Sequence, residues 1–271
     1  MTDRYAVIGN PIAQSKSPVI HAAFARQVDH DIRYDAVLAA PDAFEHTVRA
    51  FMAEGGRGMN VTAPFKLDAL ALSDRLSDRA QAAQAVNTLS FTEDGIVGDN
   101  TDGFGLVFDI QSHLRMPLAG RRILIVGAGG AARGVLLPLL QAGPASLLVV
   151  NRSQDKAQAL VEPWTGRYPT IAAGGLPAVR GRQFDVVINA TSTGLSDTAL
   201  DLGQDLYAPG ALAYEMVYGR ETSFMADARA QGAAVVADGL GMLVGQAAES
   251  FRIWRGVMPD PDPVLQMLLS R

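Results

Sequence analysis

The stretch ILIVGAGGAARGVLLPLL, residues 123–140, joins a β-branched apolar run to a glycine-rich turn and then to an apolar segment with helical spacing. Within it, Gly127, Gly129 and Ala132 are spaced as G-x-G-x-x-A. In this spacing the first glycine makes a tight turn, the second lets backbone approach a pyrophosphate, and the small third residue lets helix and strand pack. The helix N-terminus then binds the anion. Such a stretch can be only a turn, but strand, turn and helix in this order favour dinucleotide binding.

Apolar runs that alternate with helical patterns flank this motif on both sides. After it come SLLVV, FDVVINA, ALAYEMV and AAVVA, which predict a doubly wound parallel sheet. Before it, strand-like YAVIG, IRYDAVL, GMNVT and NTLSF alternate with helical SPVIHAAFARQV and PDAFEHTVRAFMAE. That alternation predicts a second α/β domain, so the fold class is α/β with two domains.

The polar turn GDNTDG near residue 100 separates the two patterns. We expect a substrate-binding domain over residues 1–101 and a Rossmann dinucleotide domain over residues 102–237. The last segments, GLGMLVGQAAESFRIW and DPVLQMLL, read as helices with no strand after them. We therefore expect residues 238–271 to return to the N-terminal domain and complete it.

Composition limits the classes of function. The chain has 271 residues, 48% of them apolar, which is enough for two cores. Its 23 Lys and Arg are outnumbered by 28 Asp and Glu, so no basic surface is expected to attract nucleic acid or an anionic membrane. No apolar run reaches the roughly 18 residues of a membrane span, and the N-terminal run is too short for a signal peptide. Without cysteine, disulfides and thiolate metal sites are excluded, and we expect a cytoplasmic protein that is a monomer or a homodimer.

The strand that follows the glycine-rich motif indicates which dinucleotide is bound. NAD enzymes commonly place an acid about 20 residues on, where it accepts hydrogen bonds from the ribose. Here SLLVVNRSQDK, residues 146–156, has Asn151, Arg152 and Ser153 at the strand end and Lys156 in the next helix. A 2′-phosphate of roughly −1.5 to −2 charge suits these groups and would be repelled by a carboxylate, which favours NADP. The alternative is a solvated helix start in which Asp155 pairs with a neighbour.

One lysine lies in an unusual place, at the end of NVTAPFK, residues 60–66. If Pro64 opens a helix, Lys66 lies in its first turn, where the positive end of the dipole disfavours a cation. A stabilising surface role is therefore not expected. A lysine so placed can donate and accept a proton, and a carboxylate such as Asp102 would orient it.

Several polar residues of the N-terminal half have a structural explanation from spacing alone. Ser17 followed by Pro18 is typical of an N-cap and the first helical residue. Thr62 with Pro64 can be read in the same way, and Asn87 can simply begin a strand. The four histidines have no spacing typical of metal ligands, so we interpret them as structural or solvated and expect no metal: His21, His30, His46 and His113.

Eight ordered motifs spread over nearly the whole chain resemble the shikimate dehydrogenase family: NPIAQSKSP, NVTAPFK, AVNT, DNTDG, VGAGGAARGV, NRS, NATSTG and DGLGMLVGQAA. The resemblance implies an NADP-dependent enzyme that reversibly reduces 3-dehydroshikimate to shikimate, in the pathway through chorismate to the aromatic amino acids. It also implies an active site in a cleft between two α/β domains.

The resemblance assigns roles residue by residue. Lys66 and Asp102 match the catalytic pair. Hydroxyl, phenol and amide groups match substrate-binding positions, namely Ser15, Ser17, Thr62, Asn87, Tyr218 and Gln246. Backbone and polar groups match cofactor-binding positions, namely Gly127, Ala128, Gly129, Gly130, Ala131, Asn151, Arg152, Ser153, Lys156, Met216 and Gly239.

This chain departs from the family pattern at a few positions. Ser153 and Lys156 stand where Thr and Arg are more common. Lysine offers a single ammonium in place of the planar, bidentate guanidinium of arginine, which can weaken the preference for NADP over NAD. Ala63 replaces a common valine, and Glu215 a common aspartate, but neither has a proposed chemical role.

Two other functions remain open on the sequence alone. An NAD-using quinate/shikimate dehydrogenase would need an acid at the strand end occupied by Asn151 and Arg152. A non-catalytic dinucleotide-sensing protein could lose Lys66 or Asp102, yet both residues are present.

Overall fold

The computed structural model describes residues 2–191 and 201–270. Its backbone contacts divide the chain into two compact units, Met1–Gly105 with Leu243–Arg271, and Leu106–Met242. Among the described residues, no helix is both long and apolar enough to span a membrane. The expected split of substrate and dinucleotide binding between residues 1–101 with 238–271 and residues 102–237 stays a prediction.

The first unit begins with alternating strands and helices. They are β1 Asp3–Gly9, α1 Ser17–Gln27, β2 Ile32–Leu38, α2 Phe44–Ala53, β3 Gly56–Val61, α3 Lys66–Leu72, β4 Arg75–Leu76, α4 Asp78–Ala83, β5 Thr88–Thr92 and β6 Gly95–Asp99. Helix α5, Asp102–Phe108, begins in this unit and is followed by a π-helical turn, Asp109–His113.

The second unit contains the glycine-rich motif and the strands that follow it. Its elements are β7 Arg122–Val126, α6 Gly130–Gln141, β8 Ser146–Val150, α7 Gln154–Val161, β9 Ile171–Gly174, β10 Phe184–Asn189, β11 Tyr207–Glu215, α8 Ser223–Ala230 and β12 Val235–Ala237, with short 3₁₀ turns at Glu162–Trp164 and Leu176–Val179. The chain ends with α9 Leu240–Arg255 and α10 Pro261–Leu269, the two predicted C-terminal helices.

The two sheets differ in strand direction. The second unit has the order β12-β11-β10-β7-β8-β9 with every pair parallel, which confirms the predicted doubly wound sheet. The first unit has the order β2-β1-β3-β5-β6-β4, in which β5 is antiparallel to both of its neighbours. The adjacent strands β7 and β10 form the point where the strand order reverses, and ligands of such sheets bind beyond the carboxyl ends there.

Burial on both faces explains why the central residues of strands in the second sheet are apolar on both sides. Along β7, Ile123 and Ile125 pack into one buried cluster, while Leu124 and Val126 pack into another. Successive side chains of a strand point to opposite faces, so an all-apolar strand requires a cover on each side. Helices α6 and α7 supply residues to the first cluster and α8 to the second.

One histidine of the first unit is completely buried. His21, on α1, is 0% exposed and its ring stacks on that of Tyr34, with centroids 4.1 Å apart and planes 6° from parallel. Neither ring nitrogen makes a hydrogen bond, because the nearby amide of Asn60 is committed to Tyr34 and Ser250. Burial lowers the pKa of His21 to about 3, so the ring is neutral at physiological pH.

This burial predicts a pH dependence of stability. Between pH 6.5, the ordinary pKa, and about 3, the unfolded chain binds a proton at His21 that the folded chain excludes. The folded state should therefore lose stability as pH falls through this window, by up to about 1.4 kcal/mol per pH unit. Replacing the ring by the uncharged aromatic of His21→Phe should remove that component. Urea unfolding of both proteins at several pH values tests this, and parallel curves would contradict a neutral buried ring.

Candidate active site

Lys66 and Asp102 meet at the starts of two helices. Lys66 is the first residue of α3 and Asp102 the first of α5, and Nζ of Lys66 lies 2.6 Å from Oδ2 of Asp102. The lysine side chain is 34% exposed and the aspartate side chain 14%. The carboxylate is therefore largely sheltered, while the ammonium can also reach a molecule bound from the solvent side.

The helix after β3 begins later than the sequence predicts. Phe65 is its N-cap and makes no side-chain capping bond, so the interpretation of Thr62 as a cap with Pro64 opening the helix is wrong. The peptide groups of Thr62 instead bond Ile8 and Phe65, each at 3.0 Å, and its hydroxyl has no partner among the described residues. Lys66 is thus the first helical residue, directly at the positive end of the dipole.

The start of α1 is also shifted by one residue. Lys16 is the N-cap and Ser17 the first helical residue, so Ser17 is not the cap that its spacing before Pro18 suggests. The hydroxyl of Ser15 accepts the backbone N–H of Ser17 at 3.3 Å and satisfies a donor of the first turn. Ser15 is half-buried and Ser17 is buried. Because Ser15 acts as acceptor here, its own hydroxyl hydrogen remains available to a ligand.

Asn87 lies directly behind the carboxylate of Asp102. Its Nδ2 donates to Oδ1 of Asp102 at 2.8 Å, and its Oδ1 accepts the N–H of Thr101 at 2.9 Å. The N–H of Asp102 itself is accepted by Oδ1 of Asn100 at 3.1 Å. Both carboxylate oxygens of Asp102 thus receive a donor, one from Asn87 and one from Lys66, which fixes the orientation of the carboxylate.

Gln246, on α9, belongs to the same set of residues. Its Oε1 accepts from the Thr101 hydroxyl at 3.3 Å, and its Nε2 donates to the carbonyl of Leu243 at 2.9 Å. The structure therefore brings four predicted site residues into one connected group, Lys66, Asp102, Asn87 and Gln246. Ser15, Ser17 and Thr62 make no direct hydrogen bond to this group.

Buried polar residues behind this group were missed by the sequence analysis. They are Asn60 on β3, Thr88 on β5, Thr101 before α5 and Ser250 on α9, each at most 5% exposed. The available signal was a polar side chain inside an otherwise apolar run, as with the asparagine of GMNV. Spacing alone does not distinguish such residues from ordinary strand or helix positions.

The glycine-rich turn has the geometry that a pyrophosphate needs. Gly127 has φ +112°, and a Cβ there would lie 3.0 Å from the backbone of Ala190. Gly129 is the N-cap of α6 and Gly130 its first residue, and neither has an atom within 4 Å of where a Cβ would be. No side chain caps α6, so its first N–H groups stay available to an anion. Ala132 is completely buried, as the predicted small third position requires.

The residues after β8 also fit a phosphate-bearing ligand. Arg152, Ser153 and Lys156 are exposed, and the amide Nδ2 of Asn151 holds the turn by donating to the carbonyl of Ser153 at 3.0 Å. Neither Arg152 nor Lys156 forms an ion pair with any described residue, and the same is true of Asp155. The cations of Arg152 and Lys156 are thus free to bind an anion at this strand end, and the predicted alternative of a paired Asp155 is not seen among the described residues.

Three of the remaining candidates, Met216, Tyr218 and Gly239, lie after β11 and before α9, and two, Ala128 and Ala131, lie on the glycine-rich turn. A Cβ on Gly239 would lie 2.2 Å from the carbonyl oxygen of Met216, so only glycine allows this approach. Tyr218 is half-buried, and burial raises the pKa of its phenol. Ala128 is half-buried and Ala131 exposed on the glycine-rich turn. The proposed contacts of all these residues with substrate or cofactor stay predictions.

Glu215, a departure from the family pattern, has a structural role. Its Oε2 accepts from Nδ2 of Asn189 at 2.7 Å and from the Thr222 hydroxyl at 3.0 Å, while Oε1 accepts the N–H of Val217 at 3.0 Å. The side chain therefore ties the end of β11 to β10 and to the start of α8. Of the quoted motif NATSTG, Ser192, Thr193 and Gly194 lie outside the described residues.

Three stretches of the chain match families of known proteins. Residues 7–89 match the shikimate dehydrogenase substrate binding domain, residues 110–196 match shikimate / quinate 5-dehydrogenase, and residues 239–269 match the shikimate 5′-dehydrogenase C-terminal domain.

Whole-chain relatives agree with these matches. A protein of Aromatoleum aromaticum named shikimate dehydrogenase (NADP(+)) is 58% identical over 98% of this chain and 96% of its own length. The crystal structure of an Ael1 enzyme from Pseudomonas putida is 48% identical, with a TM-score of 0.93 over 98% of each chain. Shikimate 5-dehydrogenase from Thermus thermophilus, in complex with NADP(H) and shikimate, is 34% identical, with a TM-score of 0.86 over 98% of each chain.

The two glycines of the turn should respond differently to the same substitution. Gly127→Ala forces a side chain into a left-handed conformation against the backbone of Ala190, and should lower the free energy of unfolding by at least about 1 kcal/mol. Gly129→Ala has open space and should keep wild-type stability, yet weaken dinucleotide binding about tenfold or more, since its methyl occupies the approach to the helix N-terminus. Urea unfolding and dinucleotide titration separate the two effects. Equal losses of stability would contradict this assignment.

Proposed function

This chain belongs to the shikimate dehydrogenase family, and we propose that it catalyses the reversible, NADP-dependent reduction of 3-dehydroshikimate to shikimate. The observation that carries the chemical part of the proposal is the 2.6 Å contact between Nζ of Lys66 and Oδ2 of Asp102. Reduction of a ketone needs a proton for the developing oxygen, and a partly exposed ammonium supplies one.

Lys66 is the general acid in reduction and the general base in oxidation. One hydrogen of its ammonium is directed to Asp102, which leaves the others for a substrate oxygen. Asp102 holds the ammonium in place and stabilises the cation that forms when shikimate is oxidised. Asn87 prevents the carboxylate from turning away, because it holds the second oxygen at 2.8 Å.

The substrate carboxylate is bound by hydroxyls at the start of α1. Ser15 and Ser17 lie on adjacent backbone at this helix N-terminus, and the Ser15 hydroxyl hydrogen is free to donate. The partial positive charge of the helix end supports an anion there. Thr62 and Gln246 contribute a hydroxyl and an amide toward the ring hydroxyls, and Tyr218 contributes its phenol.

The dinucleotide is held by the second unit. Gly127 to Ala131 receive the pyrophosphate at the N-terminus of α6, while Arg152 and Lys156, with Asn151 and Ser153, hold the 2′-phosphate. Met216 and Gly239 line the nicotinamide side. When bound, NADP supplies the hydride acceptor, and NADPH the hydride donor.

The alternative functions are not favoured. An NAD-using enzyme would be expected to have an acid at the end of β8, where this chain has unpaired cations. A non-catalytic sensor does not need the Lys66–Asp102 pair, and the whole-chain relative of Aromatoleum aromaticum carries an enzyme name. Among the described residues, no group of three or more His, Asp or Glu side chains could hold a metal ion.

The proposed function predicts a defined activity for the purified protein. With shikimate it should reduce NADP, seen as NADPH absorbance, with a kcat/KM at least about tenfold above that for NAD, since a charge-assisted phosphate contact contributes roughly 1.5–3 kcal/mol. A chelator should not change the rate. Turnover of simple alcohols without turnover of shikimate would contradict the assigned substrate.

Lys66 should matter mainly for the chemical step. Lys66→Ala should lower kcat by roughly 10²–10⁴-fold, the usual contribution of a general acid or base, with NADP binding nearly unchanged. Lys66→Arg should not restore activity, because a guanidinium stays protonated and cannot accept the proton in oxidation. Steady-state kinetics decide between roles: a variant with wild-type kcat and only a raised KM for shikimate would show that this lysine binds without transferring a proton.

A further inference from the structure

A cluster of buried polar side chains lies behind the Asn87–Asp102–Lys66 group in the first unit. It consists of Asn60, Thr88, Thr101 and Ser250, which come from β3, β5, the start of α5 and α9. Polar groups removed from water are unfavourable unless they are hydrogen-bonded, so the hydrogens of this cluster must be distributed among its acceptors. Following them from Tyr34 to Asp102 shows which donor holds the amide of Asn87.

The arrangement starts at Tyr34. Burial raises the pKa of its phenol well above the ordinary value, so the group stays protonated, and its hydroxyl donates to Oδ1 of Asn60 at 2.7 Å. Because the carbonyl of the Asn60 amide faces Tyr34, its Nδ2 faces the cluster. There it donates to Ser250 at 2.9 Å and to Thr88 at 3.1 Å.

Ser250 acts mainly as an acceptor toward its neighbours. Its single hydroxyl hydrogen is directed to the carbonyl of Gln246, one turn earlier on α9, at 3.0 Å. Its oxygen therefore accepts from the Nδ2 of Asn60 at 2.9 Å, and the hydroxyl oxygen of Thr101 lies 3.2 Å from it. Ser250 therefore does not donate to Thr88, whose hydroxyl hydrogen has Oδ1 of Asn87 at 2.8 Å as its shortest acceptor contact.

That hydrogen is directed to Asn87. The Thr88 hydroxyl donates to Oδ1 of Asn87 at 2.8 Å, and the N–H of Thr101 donates to the same oxygen at 2.9 Å. With two donors on Oδ1, the Nδ2 of Asn87 must point the other way, toward Asp102 at 2.8 Å. A rotated amide would place its carbonyl oxygen against the Asp102 carboxylate, which is repulsive.

We propose that Thr88 is a positioning residue for proton transfer, whose hydroxyl, held by the Nδ2 of Asn60, fixes the amide of Asn87 and through it the carboxylate that holds Lys66. The inference rests on the proposed function of Lys66 and Asp102. It assigns a task to a side chain that contacts neither of them.

Thr88→Val tests the proposal because valine has the same shape but no hydroxyl. We expect kcat with shikimate to fall about 10- to 100-fold, as small displacements of catalytic groups do, with the dissociation constant for NADP unchanged. Thr88→Ser, which keeps the hydroxyl, should return kcat to within about threefold of wild type. Thr47→Val is the matched control and should keep wild-type kcat. Among the residues that the structure describes, the Thr47 hydroxyl bonds the carbonyl of Ala43, the N-cap of α2, at 2.8 Å and no other group.

A double-mutant cycle with Asn87→Ala separates positioning from general destabilisation. If Thr88 acts through Asn87, Thr88→Val should lower kcat in the wild-type background and hardly at all in the Asn87→Ala background. Equal losses of kcat in both backgrounds, or wild-type kcat in Thr88→Val, would overturn the proposal. Failure of the proposed function is seen separately, as wild-type protein without shikimate turnover. In that case the same cycle is measured on the free energy of unfolding. A coupling energy near zero between Thr88→Val and Asn87→Ala would overturn the inference.

Discussion

The ammonium of Lys66 lies at the first residue of α3, where unpaired backbone N–H groups already present partial positive charge. This placement is unfavourable by itself, and the carboxylate of Asp102 at 2.6 Å offsets it. The carboxylate must then stay in place although no covalent or metal link holds it. Much of the polar interior of the first unit serves this one requirement. Asn87 holds the carboxylate and also accepts the backbone N–H of Thr101, and Asn100 accepts the backbone N–H of Asp102.

Largely buried charged side chains also hold the segment that leads into Asp102. Asp99, at the end of β6, pairs with Nε of Arg79 at 2.6 Å, and Arg79 also contacts Glu249 on α9 at 2.8 Å. Glu249 is 1% exposed and takes a second partner in Arg252. A buried pair that loses one member leaves an uncompensated charge, so this arrangement strongly disfavours any other position of the chain between Asp99 and Asp102.

The sequence predicts the parts of this structure that depend on local pattern. The strand Arg122–Val126 is apolar from Ile123 onward because both faces of a parallel sheet are covered, and the glycine after it reflects a φ of +112° that few other residues adopt. Features set by distant partners were not predictable. The start of α1 at Ser17 depends on the Ser15 hydroxyl, and the antiparallel β5 gives no signal in its own sequence. Thr88 and Ser250 are separated by 162 positions, and only the folded chain brings them within 2.9 Å.

The cations at the end of β8 have far fewer contacts within the protein than the buried polar residues around Asp102. Arg152 and Lys156 are exposed and bond no described side chain, so their replacement removes little that the fold depends on. Proton-transfer residues, in contrast, are connected through several buried side chains. Cofactor choice is thus a separable trait that a lineage can alter by one or two surface substitutions, while the substrate chemistry is constrained by many residues at once. Evolution, or an engineer, can therefore be expected to diversify this scaffold first in its dinucleotide preference.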